Sequence, residues 1–532
     1  MTERDDFDAD YIIIGSGFGG SVSAHRLTEK GYKVLVIEAG RRWKAKDFPN
    51  TNWKFWRALW MPAFMCRGIM RMTLLSDVLA LSGAGVGGGS LVYANTLLVP
   101  PDPFFEDANW ARMKDWKSSL MPFYDTAQRM LGANKTPRVF RGDEGLRAIA
   151  REMGREETFH NANVGIFFGK PGVEVEDPYF DGKGPRRSGC TFCAGCMVGC
   201  RHNAKNTLDK NYLYLAEAGG AEVLPDHRVF DVRPLDSGGY QVQTRRTHVP
   251  WAPRGPTFKA PKVIFSAGVL GTIKLLLECR KRGSLPSLSR RLGDYVRTNS
   301  EAIIGVTSRG DAPIHSEGIA IASGFYPEPE THIEAVRYSA GNDLLSSLAT
   351  LMTDGGGRIP RQLRFLWVIV SQPIDFLRSL KPYDWARKTL ILLVMQSRSN
   401  WLRMGLKRRW YWPFQRTLVT DAPDGATKPP TYIPVGHEVA RKLAKEYNGF
   451  PVSSINEVLL DVPTTAHLLG GACIGPDAEH GVVDGKNEVY GHPGLYVIDG
   501  SMIPANLGVN PSLTITALAE HAMSQVAPKD ST

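Results

Sequence analysis

A strand, glycine turn and helix at the start of the chain, short apolar strands at 262–265 and 495–498, and a long apolar–polar alternation between them predict an α/β fold. The expected architecture is a Rossmann-like dinucleotide-binding domain carrying an inserted α+β domain built on an antiparallel sheet. Residues 1–105, 201–300 and 463–532 are assigned to the first domain, and 106–200 with 301–462 to the second. Two domains suit a chain of 532 residues, which exceeds what one core usually holds.

Tyr11-Ile12-Ile13-Ile14 reads as a buried parallel strand, followed by Gly15, Gly17 and Gly20 in the G-x-G-x-x-G spacing. Gly15 permits the tight turn, and Gly17 lets backbone N–H groups approach a pyrophosphate. Gly20 lets a helix over 21–31 pack on the strand, and Phe18 and Gly19 complete the binding turn. A second strand, 33–37, ends at Glu38, where an acid binds ribose hydroxyls. This unit does not separate FAD from NAD.

Composition is globular, with 43% hydrophobic and 22% charged residues. The first ten residues are polar and acidic rather than leader-like, and no run approaches the roughly 18 apolar residues of a membrane span, so a cytoplasmic location is expected. Seven cysteines, an odd number, argue against a disulfide framework. The net charge of +10 permits attraction to anionic surfaces, but basic residues are dispersed and no nucleic-acid motif is visible.

Aromatic, methionine and basic residues mix through 53–72, suiting a packed surface helix, the expectation here, or a segment that touches lipid. The run 83–92, with Gly87, Gly88, Gly89 and Ser90, is too glycine-rich for a plain helix or strand; such backbone can press on a planar ligand. Paired with the N-terminal motif it resembles the glucose-methanol-choline oxidoreductases, nearest to their sterol-oxidising branch and its long-chain-alcohol relatives. The resemblance implies FAD lying along this segment, held by Gly87, Gly88 and Ser90. Members that attach flavin covalently use a His here; residues 71–101 contain none, so FAD is expected to be non-covalent. Tyr93 stands where relatives commonly carry Asn, with Asn95 two places on, and neither is given a role.

Cys190, Cys193, Cys196 and Cys200 are spaced C-x2-C-x2-C-x3-C, as in a bacterial ferredoxin run, with Arg201 in place of the usual proline and no second run. A four-thiolate iron–sulfur or zinc site is one reading and a thiol-rich turn the other. The turn is expected, and no metal, because FAD suffices for alcohol oxidation. Short strands at 221–224, 229–232 and 240–244 lead to the 262–272 strand, Ser-Ala-Gly turn and helix, which resembles the family's second signature.

Alternation at 302–307, 318–325 and 332–338, and an apolar strand at 390–396, predict the antiparallel sheet over the flavin. Between them 358–381, apolar with basic flanks and broken at Pro373, is too short to span a bilayer and long enough to lie on one. At the end of the chain, 465–471 resembles the family's histidine motif, and 495–501 is a buried strand reaching the cofactor at Asp499 and Gly500. Asn510 is read as the N-cap and Pro511 as the first residue of a helix aimed at the flavin.

The resemblance implies that His467 is the proton acceptor and that Asn510 holds the substrate oxygen. It also implies that Glu334 shifts a C5 double bond to C4, against the alternative of a salt-bridged surface Glu. The expected reaction is oxidation of a hydrophobic alcohol, first a 3β-hydroxysteroid such as cholesterol, with reoxidation by oxygen and possible peripheral membrane contact. The alternatives are a long-chain-alcohol oxidase, a dehydrogenase with another acceptor, or a flavin-retaining lipid-binding or redox-sensing protein.

Overall fold

The computed structural model describes residues 7–248, 254–311, 313–409 and 412–531; the start of the acidic N-terminal segment, 1–6, lies outside them. A five-stranded parallel sheet runs in the order Glu222–Leu224, Val34–Ile37, Tyr11–Ile14, Lys262–Phe265, Leu495–Val497. Tyr11 is in register with both Val34 and Lys262. The Tyr11–Ile14 and Val34–Ile37 strands are buried at every position, which is why they are written as unbroken apolar runs rather than alternating ones.

The Phe18–Glu29 helix packs against both the Ser512–Ser524 and Tyr212–Ala218 helices. It starts three residues before the sequence reading, because Gly15 to Gly17 complete the turn and Phe18 is already helical. The Trp116–Met130 helix, grouped by the sequence with 106–200, packs on the Ser512–Ser524 helix, and its Trp116, Leu120 and Tyr124 join the dinucleotide-fold core. Pro122 lies inside that helix without ending it.

The second sheet has seven strands, ordered Ala349–Leu351, Gly449–Ser454, Ala302–Ser308, Thr389–Gln396, Thr331–Val336, Ile321–Glu328, His160–Asn161, with every neighbouring pair antiparallel. Period-two alternation divides its faces. Ile304, Val306, Ile333, Leu392 and Val394 meet the Arg141–Glu152 and Pro434–Glu446 helices in one core. Ile303, Val336, Ile391 and Leu393 line a cleft on the opposite face.

Of the two lipid-like stretches, the first differs from expectation. Residues 53–72 do not form a packed surface helix. Phe55–Ala58 is a single turn, and Pro62 and a left-handed Met65 then bend the chain into a hairpin that leaves Trp56, Phe64 and Met65 exposed. The 358–381 stretch forms two helices, Arg361–Ser371 and Pro373–Ser379, on which Phe365 faces inward while Leu366, Trp367, Val370, Ile374 and Leu377 face out. Among the described residues no helix is long and apolar enough to cross a membrane.

Candidate active site

One cavity of about 540 Å³ runs from the first glycine turn to the inner face of the seven-stranded sheet. At the dinucleotide end Gly15 has φ +103°, and a Cβ there would lie 2.3 Å from Ser266 O. A Cβ on Gly20 would meet Gly15 O at 2.1 Å, and one on Gly19 would meet Ile498 O at 1.8 Å. Gly17 differs, since its nearest protein atom would be Ser266 O at 3.9 Å. Gly15, Gly19 and Gly20 therefore serve close backbone packing, whereas the space at Gly17 is left open toward the cleft.

Glu38 Oε2 accepts from Ser16 N–H and Oγ at 3.0 and 2.8 Å, and Oε1 accepts from Gly40 N–H at 2.8 Å. Burial raises its pKa, against the pull of these bonds. Ser16 Oγ also accepts from Gly87 N–H at 3.1 Å, and a Cβ on Gly88 would sit 2.6 Å from Gly17 Cα, so the two glycine segments touch backbone to backbone. Gly88 and Gly89 line the cleft; Gly87 and Ser90 stand behind it, Ser90 Oγ donating to Gly87 O at 2.7 Å and accepting from Leu208 N–H at 3.0 Å. Phe18 and Gly500 line the cleft, as does Asp499, whose carboxylate accepts from Thr272 Oγ1 at 2.6 Å and Ser501 N–H at 2.8 Å.

Backbone open at Gly17 and Gly89, with Arg71, Arg228 and Lys274 on the same walls, fits an anionic dinucleotide such as FAD. Asn510, Pro511 and Ser512 bring the start of the Ser512–Ser524 helix, with its partial positive charge, to the same cleft. Asn510 does not cap that helix with its side chain. Pro511 occupies the cap position, and Asn510 Nδ2 turns instead to donate to Glu334 Oε2 at 3.1 Å, while its Oδ1 is buried without a partner.

His467 lines the cleft, and its Nδ1 pairs with Glu301 Oε1, leaving Nε2 as the free ring nitrogen. Burial works against charging the ring, but the charge and hydrogen bond of Glu301 outweigh it and hold the pKa above the ordinary histidine value. Glu301 is fixed in turn by Ala466 N–H, donating to Oε2 at 2.7 Å. Glu334 shares the cleft face of its strand with Val336 but reaches the cleft through Asn510; burial pushes its carboxyl up to about 7, and Oε1 has no hydrogen-bond partner. It is not a salt-bridged surface residue: it is 1% exposed. Glu301 was not singled out in the sequence, because it lies 166 residues from His467 and belongs to no local pattern.

A family model for the GMC oxidoreductases matches residues 416–519, and one for NAD(P)-binding Rossmann-like domains matches 13–45. The chain is 47% identical to a cholesterol oxidase of Acinetobacter baumannii, covering 98% of this chain and 95% of that one. It is also 47% identical to the cholesterol oxidase of Mycobacterium tuberculosis, over 97% of this chain and 91% of the relative. The solved structure of pyridoxine 4-oxidase from Mesorbium loti shares the fold at a TM-score of 0.62 and 14% identity, covering 97% of this chain and 99% of that one. With likeness this close running from end to end, the chain belongs to the GMC oxidoreductase family.

Proposed function

We propose that this FAD-dependent alcohol oxidoreductase converts a 3β-hydroxysteroid such as cholesterol to its ketone, with oxygen as the final acceptor. The observation that carries the reading is a cleft whose sheet wall is apolar, through Ile303, Ile321, Val336, Ile391 and Leu393, with His467 and Asn510 as polar groups where that wall meets the dinucleotide site. Bound FAD supplies the hydride acceptor; the chain's own groups manage the proton and the orientation. His467 Nε2 takes the hydroxyl proton, while Glu301 fixes the ring and favours the imidazolium that results. Asn510 orients the same oxygen from the opposite side. Glu334, ionised above about pH 7, accepts the proton moved during isomerisation, which requires the Asn510 amide to swing aside.

The Arg361–Ser379 helices and the 53–72 hairpin rest the protein on a lipid surface, from which a poorly soluble sterol enters the cleft. The exposed apolar row from Leu366 to Leu377, with Arg378 and Lys381 beside it, supports that part of the reading.

Mixing the oxidised enzyme anaerobically with sterols and with fatty alcohols tests the substrate class. Rapid bleaching of the flavin by cholesterol, and slow bleaching by a linear alcohol, is expected. The reverse order would move the protein to long-chain alcohols, and no bleaching by either would make it a binding protein.

A further inference from the structure

The ferredoxin-like cysteine run is not used by the alcohol chemistry, and its surroundings are unusual. Cys190, Cys193, Cys196 and Cys200 all line a second cavity, of about 190 Å³. That is roughly thirteen to nineteen times the ~10–15 Å³ that one water needs. The spacing alone leaves the fourth cysteine open, because in two-cluster ferredoxins it serves the other cluster. Here Gly199, at φ +91°, turns the chain so that Cys200 faces the same cavity as the other three. The remaining cysteines, Cys66, Cys279 and Cys473, do not line it, and all seven are free of disulfides.

The charges around the cavity point to an anion. Lys205, which lines the cavity, and Arg187, whose guanidinium donates to Lys205 O behind it, are each 1% exposed, and no hydrogen bond or ion pair to a carboxylate is made by either among the described residues. Lys205 Nζ donates to Cys196 O at 2.7 Å and Leu91 O at 2.9 Å; Arg187 donates to Asn206 Oδ1, Asn203 O and Lys205 O. Their hydrogen bonds all go to neutral acceptors, and the carboxylate that acts on them, Asp209, does so only through space. Two thiols already receive amide hydrogen bonds at 3.4 Å: Phe192 N–H donates to Cys190 Sγ and Ala204 N–H to Cys200 Sγ. Such bonds stabilise thiolate ligands.

A single zinc ion fits less well. It draws its sulfurs to about 2.3 Å, whereas among the described residues no group of three or more His, Cys, Asp or Glu side chains converges on a point that could hold one ion. A polynuclear core spaces its thiolates farther apart and fills more volume.

We propose that Cys190, Cys193, Cys196 and Cys200 ligate a four-iron, four-sulfide cluster in this cavity. Each thiol gives a proton to solvent as its iron–sulfur bond forms, and iron and sulfide come from a cluster donor. The resulting anionic cluster supplies the counter-charge for Arg187 and Lys205. It stands beside the cofactor cleft, since Met197 lines that cleft and Leu91 ends its glycine segment.

The test uses the full flavoprotein purified without oxygen. Iron, acid-labile sulfide and zinc are assayed against flavin, and low-temperature EPR spectra are taken after dithionite reduction. Four iron and four sulfide per flavin with a reduced-cluster signal are expected. Iron-free protein that also fails to take up ferrous iron and sulfide on reconstitution overturns the proposal, as does zinc without sulfide. Cys196→Ser and the exposed-site variant Cys193→Ser should lose the signal, while Cys473→Ser, outside the cavity, should keep it. If Cys196→Ser does not fold, Cys193→Ser and the wild-type assay still decide. A signal and iron content unchanged in Cys200→Ser would overturn the four-thiolate assignment.

Discussion

His467 faces two opposing forces: burial disfavours its charge and Glu301 favours it, and Glu301 prevails. A raised pKa means the neutral, proton-accepting ring exists only above that pKa, so flavin reduction should rise with pH through it. Glu301→Gln removes the favouring charge and leaves burial to act. The rising limb should then move to lower pH, read by anaerobic stopped-flow across a pH series; an unmoved limb would show that another group sets it. His467→Ala should slow flavin reduction by about a hundredfold or more with FAD retained, the scale of a lost acid–base group. Glu334→Gln should leave oxidation intact and let the unconjugated ketone accumulate. In the wild type, isomerisation should increase as pH passes about 7, where the carboxyl ionises. At this scale motif and alternation were legible: the 465–471 pattern led to His467, and strand period placed Glu334 beside Val336. Glu301 and the Asn510–Glu334 bond were not, because each depends on a partner more than a hundred residues away.

Among the elements, the first turn separates packing from binding within three residues. Gly19→Ala drives a Cβ to 1.8 Å from Ile498 O, a clash with backbone that should cost more than the about 1–3 kcal/mol of ordinary overpacking and abolish soluble protein. Gly17→Ala, with ordinary φ and 3.9 Å of clearance, should fold and melt like the apoprotein yet lose flavin affinity. Equal damage from both, by thermal melt and flavin content, would contradict that separation. The glycine spacing was readable from the sequence; which glycine served which purpose was not, since Gly19 meets a strand that arrives at the far end of the chain. A second prediction concerns the Arg361–Ser371 and Pro373–Ser379 helices. Trp367 and Val370 are each 71% exposed, and replacing both with Ser should weaken co-sedimentation with anionic vesicles and slow turnover of vesicle-borne sterol, while leaving turnover in detergent unchanged. The 53–72 stretch misled as a helix because its composition is indifferent to backbone shape; Pro62 and the left-handed Met65 decide that.

For the whole molecule, the α/β class and the antiparallel sheet were legible because each has its own hydrophobic period. The placement of the Trp116–Met130 helix was not, for an amphipathic helix does not name the core it will join. No His occurs in the 71–101 segment, so denaturation should release free FAD into the supernatant; a yellow precipitate would indicate a covalent bond. Removing FAD should lower the melting temperature, since a ligand bound only by the native state stabilises it by mass action.

The parallel sheet also sets a timetable for biosynthesis. Its edge strand, Leu495–Val497, is made long after the Lys262–Phe265 strand that it pairs with, and Arg26 and Asp10 wait for Glu520 and Lys529. At about 5–20 residues per second, the nascent chain holds the outer edge of the Lys262–Phe265 strand unpaired for on the order of tens of seconds. The cleft that Asp499 and Asn510 help to line is therefore completed late, and cells making this protein in quantity must shield that edge until the Leu495–Val497 strand emerges.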